Sequence, residues 1–255
     1  MLSIKSLRTK KSRDALGVFI VEGERFVKEI PENYRVVQYI VSNGYKKPTG
    51  WLVKRADVVE VSKAVFDRFA ETSSPQGIAA VVQKIGYTLD DGAGSDGFVL
   101  VCDGLGDPAN LGGLIRTAAA AVASCVVLTN ECASIWNPKV QRASAGAALR
   151  IPVVDNTSIN AAAEYAKKHG MPIYGAHPRG ESLPYDLNLA TKFCLIVGSE
   201  AHGLSQEAIR RSDKLVRLPM GRGAESLSAA VAGSIIMYEA IRQREVRLFA
   251  KLCRG

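Results

Sequence analysis

The chain has 255 residues, of which 47% are hydrophobic and 23% are charged. A chain of this length buries enough apolar surface for one large domain or two small ones, and the composition excludes disorder, collagen and coiled coil. No apolar run approaches the roughly 18 residues of a membrane span, and the cationic N-terminus lacks the apolar stretch of a secretory signal. We therefore expect a cytoplasmic protein that does not bind membranes.

The positive charge is concentrated in the first third of the chain. Residues 1–85 contain 15 Lys and Arg against 9 Asp and Glu, a net of +6, whereas residues 86–255 contain 18 against 16, a net of +2. Clustered cations attract a phosphate backbone through counterion release, although a basic N-terminus can also be only a solubilising arm. The charge distribution favours a nucleic-acid partner.

The sequence contains five cysteines, an odd number, and no CxxC or Cys/His cluster. Because most of them stand in apolar segments, we interpret them as core thiols and predict no metal site. They are Cys102, Cys125, Cys132, Cys194 and Cys253.

Apolar runs of strand and helix character alternate over residues 1–85, which indicates a small α/β domain. The runs are Val18–Val21, Glu24–Glu29, Val36–Val41, Val58–Val61, Lys63–Ala70 and Ile78–Val82. The next segment, Gly86–Gly97, accumulates Gly, Asp and Ser and loses apolar periodicity, as linkers and exposed loops do. We place a domain boundary there, so that the second domain covers residues 98–255.

From residue 98 the alternation resumes, and its strand runs are continuously apolar. Such strands, when crossover helices join them, predict a parallel sheet covered on both faces. The predicted strands are Phe98–Cys102, Cys125–Leu128, Ile151–Val154, Ile173–Ala176, Phe193–Val197 and Lys214–Arg217. The predicted helices are Leu111–Val122, Val140–Ala147, Ser158–His169 with Ser158 as its N-cap, Gln206–Arg211, and a long helix from about Ser226 to Lys251.

Open parallel sheets bind ligands at the carboxyl ends of their strands, so the loops at those ends are candidate sites. The first candidate is Asp103–Thr117, in which Pro108 and several glycines predict a tight, irregular turn. Asn110 suits a turn former or an N-cap there. Arg116 stands among apolar residues of the following helix, which favours a functional role over that of a surface cation.

The second candidate loop is Gly198–Leu204, whose glycines allow close approach of the backbone to a ligand. Ser199 and Glu200 stand at the mouth of the next helix, where N–H groups are unpaired. His202 is interpreted as a loop residue more readily than as a general base.

The third candidate loop, Leu218–Leu227, leads into the last helix, with Glu225, Ser226 and Ser228 at its N-terminus. Those residue types suit a capped or ligand-holding helix end. The stretch GRGAES is only half of a GxGxxG motif, the first βα turn lacks that motif, and GxxxxGK[ST] does not occur. A dinucleotide fingerprint is therefore weak and a P-loop is excluded.

In order, spacing and context, the three loops resemble the three signature motifs of the SpoU-type branch of the SPOUT RNA methyltransferases. The matching residues are Asp107, Pro108, Asn110, Gly112, Arg116 and Thr117 in the first, Gly198, Ser199, Glu200, Gly203 and Leu204 in the second, and Leu218, Pro219, Met220, Glu225, Ser226 and Leu227 in the third. The segment Gln141–Ala147 is similar to an Arg-Ala-Ser-x-Gly-Ala helix of that family. Residues 1–85 resemble its accessory substrate-binding domain, which is similar to kink-turn-binding ribosomal proteins.

The resemblance implies an S-adenosylmethionine-dependent 2′-O-ribose methyltransferase that acts on structured RNA, with ribosomal RNA favoured and transfer RNA left open. It implies a homodimer in which the Leu111–Val122 helix and the C-terminal helix are contact surfaces. It also implies a parallel sheet whose C-terminal part is tied in a trefoil knot. The cofactor-binding residues that it implies are Val197, Gly198, Ser199, Gly203, Leu218, Met220, Ser226 and Leu227.

The catalytic residues implied by the resemblance are Arg116, Asn110, Glu200, Ser226 and Ser228. Because an arginine stays protonated in water, we expect Arg116 to stabilise a developing alkoxide and hold the adjacent phosphate. A role for Arg116 as base, after a phosphate takes its proton, is left open. Asn110 and Glu200 would orient Arg116 and the substrate, and Ser226 would position ribose or cofactor.

Ser228 departs from the family pattern, which usually has Asn at that position. Ser keeps a hydrogen-bonding hydroxyl but lacks the second group of the amide. The alternative from another class is therefore an RNA-binding protein of the same fold that has lost methyl transfer. A NAD-type oxidoreductase is disfavoured by the missing GxGxxG motif.

Overall fold

The computed structural model describes residues 4–46, 52, 56–92, 97–221 and 227–252. The N-terminal domain contains a 3-10 helix at Ile4–Arg8, then α1 (Lys10–Leu16), β1 (Val18–Glu22), α2 (Glu24–Lys28), β2 (Val36–Ser42), β3 (Val58–Val61), α3 (Lys63–Phe69) and β4 (Ile78–Gln83). Its sheet has the order β1-β4-β2-β3, in which β4 runs antiparallel to β1 and β2 while β3 is parallel to β2. The predicted small α/β domain is observed.

The basic N-terminus is folded rather than extended. The hydroxyl of Thr9 accepts a hydrogen bond from the Ser12 N–H and caps α1. Arg13, only 3% exposed, donates to the carbonyls of Leu7 and Arg8 at 3.0 and 2.7 Å. These bonds satisfy carbonyls of the preceding 3-10 helix, so part of the positive charge there has a structural role.

The segment after β4 crosses to the second domain. Residues Leu89–Gly92 form a 3-10 helix, and Tyr87 and Leu89 pack against the apolar cluster on one face of the second sheet. Residues 93–96 of the predicted linker lie outside the described residues. The domain limits 1–85, 86–97 and 98–255 stay a prediction.

The second domain alternates strands with helices. Its elements are β5 (Val99–Asp103), α4 (Pro108–Ala120), β6 (Cys125–Leu128), α5 (Pro138–Ala143), a 3-10 helix at Ala147–Leu149, β7 (Val153–Val154), α6 (Ile159–Lys168), β8 (Ile173–Ala176), a 3-10 helix at Pro184–Asp186, β9 (Cys194–Gly198), α7 (Gln206–Arg211), β10 (Lys214–Val216) and α8 (Ala229–Leu252). The sheet order is β10-β8-β9-β5-β6-β7, and every strand pair is parallel. The prediction of a parallel sheet is confirmed.

Several helix boundaries differ from the prediction, and two of the differences have a local reason. The helix predicted from Leu111 begins at Pro108, because the Asp107 carboxylate accepts the Ala109 and Asn110 N–H groups at 3.0 and 2.8 Å. The helix predicted over Val140–Ala147 ends at Ala143, because Ala145 (φ 50°) and Gly146 (φ 76°) take left-handed backbone conformations. The predicted N-cap Ser158 is confirmed by its bond from the Ala161 N–H at 3.1 Å.

The two domains share one apolar core. Trp136, on the loop before α5, places its ring 4.7 Å from that of Phe19 on β1 and 6.5 Å from that of Tyr34. At the edge of this contact Arg150 donates to a carboxylate oxygen of Glu29 at 2.9 Å. The domains are therefore joined by packing as well as by the chain.

No helix within the described part of the chain is long and apolar enough to cross a membrane.

Candidate active site

The first predicted loop lies between β5 and α4. Asp107 is the N-cap of α4, so Asn110 occupies the third helical position and is neither the cap nor a turn former. Arg116 lies two turns further along α4 with its side chain exposed, while its neighbours Leu114 and Ile115 are fully buried. The helix thus turns its one cation outward from an apolar packing face.

The second predicted loop is tightly closed. Ser199 and Gly203 exchange backbone hydrogen bonds of 3.1 and 2.8 Å, and the His202 N–H donates to the Ser199 hydroxyl at 3.2 Å. A Cβ on Gly198 would lie 2.2 Å from the backbone of Gly203, so no other residue fits there. Ser199, Glu200, His202 and Gly203 of this loop border the space in front of β9.

Asp103 holds this second loop from the neighbouring strand. It ends β5, is 9% exposed, and accepts the Ser205 N–H at 2.7 Å. Asp103 is also paired in register with Gly198 on β9. The sequence analysis included Asp103 only as the start of a loop, because its bond to Ser205 spans 102 residues of chain.

The third predicted loop runs from β10 to α8. Met220 and Leu227 are each 39% exposed, and both border the space in front of β9. Ser228 caps α8, because its hydroxyl accepts the Val231 N–H at 3.4 Å and its carbonyl accepts the Ala232 N–H at 2.9 Å. Ser226, predicted for both catalysis and cofactor binding, lies outside the described residues, as does Glu225.

A fourth loop, which the sequence analysis did not select, follows β8. His177 donates its backbone N–H to the Val216 carbonyl at 2.9 Å, and Gly180 donates to the His177 carbonyl at 3.0 Å. These bonds form a turn beside β10. Ligands of open parallel sheets bind at the carboxyl ends of the strands, and this rule applies equally to the predicted strand Ile173–Ala176. The rule would therefore have selected this loop from the sequence.

The second, third and fourth loops enclose a cavity of about 550 Å³ at the carboxyl ends of β8, β9 and β10. Its described lining contains most of the predicted cofactor residues together with Glu200 and Ser228. The described lining residues from the prediction are Val197, Gly198, Ser199, Glu200, Gly203, Leu218, Met220, Leu227 and Ser228. Its volume is that of a site for a nucleoside-sized ligand. The apolar walls and exposed backbone groups fit the adenosine of S-adenosylmethionine.

Arg116 borders a different space. An open groove of about 490 Å³ lies between α4 and α8, and Arg116 lines it with Thr117, Val231, Ile235 and Tyr238. No described residue borders both the cavity and the groove, since α8 stands between them. Asn110 borders neither space, and within the described residues no hydrogen bond or ion pair joins Arg116 to Asn110 or Glu200.

Helices α4 and α8 are in close contact between the two spaces. The hydroxyls of Thr117 and Ser234 lie 3.0 Å apart. A Cβ on Gly233 would lie 2.6 Å from the Leu114 side chain and 3.1 Å from that of Val197. The relative position of the cavity and the groove is therefore fixed by packing.

The described cysteines are free and mostly buried. Burial raises the pKa of Cys102 well above its usual range, and raises that of Cys125 to about 11 and that of Cys194 to about 12. Cys253 lies outside the described residues. Among the residues that the structure describes, no three His, Cys, Asp or Glu side chains gather as metal ligands.

A parallel α/β sheet whose second and third motif loops meet in a cavity at its strand ends is the arrangement that the resemblance to SPOUT-class methyltransferases predicts. The chain matches the model of the SpoU rRNA methylase family over residues 97–238 and that of the MRM3-like substrate binding domain over residues 2–80. The chain belongs to the SpoU rRNA methylase family, and the resemblance identified in the sequence is confirmed.

Relatives of known name agree over both domains. The chain is 31% identical over 234 residues to the 23S rRNA (guanosine(2553)-2'-O)-methyltransferase RlmP of Bacillus subtilis, covering 92% of each protein. It is 38% identical over 198 residues to the 23S rRNA (guanosine-2'-O-)-methyltransferase RlmB of Xanthomonas axonopodis pv. citri, covering 75% of this chain and 80% of the relative. The crystal structure of the SpoU methyltransferase AviRb from Streptomyces viridochromogenes with AdoMet superposes with a TM-score of 0.87 at 25% identity, covering 94% and 96%.

Proposed function

We propose that this protein transfers a methyl group from S-adenosylmethionine to the 2′-hydroxyl of a guanosine in large-subunit ribosomal RNA. The observation that carries the proposal is the 550 Å³ cavity, whose described walls contain seven of the eight predicted cofactor-binding residues, all but Ser226. The chain also aligns over 92% of its length with a 23S rRNA 2′-O-methyltransferase of Bacillus subtilis. Transfer RNA is the second substrate class, left open by the sequence.

The residues that would hold the cofactor are those of the second and third loops. Gly203 leaves the backbone of the second loop accessible, Gly198 allows the loop to close tightly, and Leu218 and Leu227 supply apolar walls. Bound S-adenosylmethionine supplies an already activated sulfonium methyl group. The task left to the protein is therefore to orient a ribose hydroxyl and to favour loss of its proton.

We infer that Arg116 meets the ribose from a second copy of the chain. Within one chain α8 separates Arg116 from the cavity, so a single copy has an incomplete site. The groove that contains Arg116 also exposes Val231, Ile235 and Tyr238, at 46%, 45% and 56%. A symmetric contact through these apolar side chains would bring each Arg116 toward the partner's cavity. There its guanidinium would stabilise the alkoxide and hold a phosphate.

Ser228 does not argue for the inactive alternative. Its hydroxyl already performs the capping role at the start of α8 that an Asn would also perform, because both residue types are good N-caps. Arg116, Asn110 and Glu200 are retained. An active enzyme is therefore favoured over an RNA-binding protein that has lost methyl transfer.

We also propose that the N-terminal domain binds the RNA substrate in the cytoplasm. Its net charge of +6 over residues 1–85 suits a phosphate backbone, and residues 2–80 match a substrate-binding domain. We also propose a trefoil knot in the C-terminal part of the sheet, which the match to the SpoU rRNA methylase family supports.

The test is transfer of tritiated methyl groups from S-adenosylmethionine to unmodified ribosomal RNA and transfer RNA. We expect label in 23S rRNA, resistant to alkali at the modified linkage, and its loss in Arg116→Ala. Label in tRNA alone would show that transfer RNA, and not ribosomal RNA, is the substrate. Cofactor binding without label in free or ribosome-assembled RNA would favour the inactive alternative, and a wild type that binds no cofactor would refute the proposal.

Mixing two inactive variants tests the shared site. Arg116→Ala keeps the cavity, whereas Gly198→Ala keeps Arg116 but disrupts the second loop. If each site takes its arginine from the partner, a mixed dimer has one complete site of its two. Random mixing makes half of the dimers mixed, so activity should return to about one quarter of wild type. No recovery, when co-purification of the two differently tagged variants verifies that mixed dimers form, would place Arg116 and cofactor in the same copy. Ile235→Asp is expected to give monomers, with Val65→Asp, on the exposed surface of the N-terminal domain, as control.

A further inference from the structure

The turn after β8 places Arg179 at the rim of the cavity, and backbone hydrogen bonds fix the turn. Besides the bonds from His177 to Val216 and from Gly180 to His177, the Arg179 N–H donates to the Nδ1 atom of His177 at 3.1 Å. A Cβ on Gly180 would lie 2.6 Å from the backbone of Leu215, so this turn is pressed against β10. Two further backbone bonds, from Ser182 to the Leu215 carbonyl and from Arg217 to the Ser182 carbonyl, fasten its end.

Arg179 occupies the third position of this turn, and its side chain borders the cavity. Among the described lining residues it is the only one with a permanent positive charge, and the charged residue Glu200 is the only anion. No ion pair or side-chain hydrogen bond of Arg179 is formed within the described residues. A turn fixed by backbone hydrogen bonds thus places Arg179 at the cavity, and its side chain has no intramolecular partner within the described residues.

We propose that Arg179 binds the α-carboxylate of the methionine end of the cofactor. The inference rests on the proposed function, since it assumes that the cavity holds S-adenosylmethionine. A guanidinium matches a carboxylate with two parallel hydrogen bonds, and this pairing is stronger than bonds between neutral groups. The rest of the cofactor meets apolar walls and backbone groups, so Arg179 distinguishes a ligand that carries the amino-acid end from one that lacks it.

The test compares two ligands that differ at that end. S-adenosylhomocysteine has the carboxylate, whereas 5′-methylthioadenosine has the same adenosine and sulfur without the amino-acid group. We expect Arg179→Ala to weaken S-adenosylhomocysteine roughly 10- to 100-fold in calorimetry, the loss of a charge-assisted pair. Binding of methylthioadenosine is expected to change less than about 2-fold, and Arg179→Lys to retain part of the affinity.

Arg210→Ala is the matched control, because Arg210 is an exposed arginine of α7 that pairs with Glu207 and does not border the cavity. It should leave both dissociation constants unchanged. An unchanged affinity of Arg179→Ala for S-adenosylhomocysteine would overturn the assignment. If the same variant also lost affinity for RNA, Arg179 would be assigned to a phosphate of the substrate. Equal weakening of both ligands would also overturn it, since the effect would then not concern the carboxylate. A wild type that binds neither ligand would refute the proposed function itself.

Discussion

Replacing Trp136 by Ala tests whether the two domains are one folding unit. Trp136 is 6% exposed and packs against Phe19 and Tyr34 of the other domain. Removal of a buried large aromatic side chain costs about 3–5 kcal/mol. In a chain of this size about 1 kcal/mol corresponds to roughly 2–4 °C in Tm, so Trp136→Ala should lower the Tm by roughly 6–20 °C.

Differential scanning calorimetry measures this shift, and hydrogen exchange locates it. We expect one transition in the wild type, because the core is continuous across the domains, and faster exchange of the β1 amides in Trp136→Ala. Tyr185→Ala is the control, since Tyr185 is an aromatic residue that is 59% exposed. Two separate wild-type transitions, or a shift below about 2 °C, would refute the reasoning that the shared core couples the domains.

Three further predictions concern single contacts. Gly198→Ala should abolish binding of S-adenosylhomocysteine in calorimetry, because the added Cβ would lie 2.2 Å from the backbone of Gly203. Gly86→Ala is the control and should bind normally, because a Cβ on Gly86 has nothing within 4 Å. Binding of the ligand by Gly198→Ala would contradict the tight packing of the loop. Asp103→Ala should lower the free energy of unfolding by about 1–3 kcal/mol in denaturant titration, because the Ser205 N–H loses its acceptor. Asp103→Asn should lower it less, because the oxygen of the amide still accepts that bond. Equal losses for the two variants would count against the bond. At pH 8 Cys125 and Cys194, with pKa values raised by burial to about 11 and about 12, should resist a disulfide reagent until the protein unfolds, as peptide mass spectrometry would reveal. The neutral thiols stabilise the folded state below about pH 9, and this contribution should fall as the pH rises toward 11.

The catalytic half of the fold was accessible from the sequence because its strands are buried on both faces. Cys125–Leu128, Ile173–Ala176 and Gln206–Arg211 have the observed bounds, since continuous apolar runs or a Ser cap mark their ends. Helix α1 was not predicted, because its seven residues KKSRDAL carry no apolar periodicity. What fixes α1 is the Thr9 cap and the buried Arg13, and the latter depends on tertiary contact.

The site was predictable as a set of residues but not as an arrangement. The second and third motifs meet in the cavity because parallel strands end at the same edge of the sheet. Sequence does not reveal on which side of α8 a side chain of α4 emerges, so the position of Arg116 in the groove, away from Glu200 of the same chain, was not predicted. The β8 turn escaped selection because His177 and Arg179 form no glycine-rich motif.

The position of α8 between cavity and groove has a thermodynamic consequence. Ala232 and Ile236 face the cavity while Val231 and Ile235 face the groove, and Gly233 between them leaves α8 no room to shift against α4. In the proposed dimer, pairing through the groove brings Arg116 of one copy toward the cavity of the other, and this contact would couple pairing to cofactor binding. Thermodynamic linkage makes this coupling reciprocal. If pairing of two copies changes the affinity for cofactor by some factor, bound cofactor changes the dimer dissociation constant by the same factor. Any dimer dissociation constant of this protein should accordingly be measured at a stated cofactor concentration.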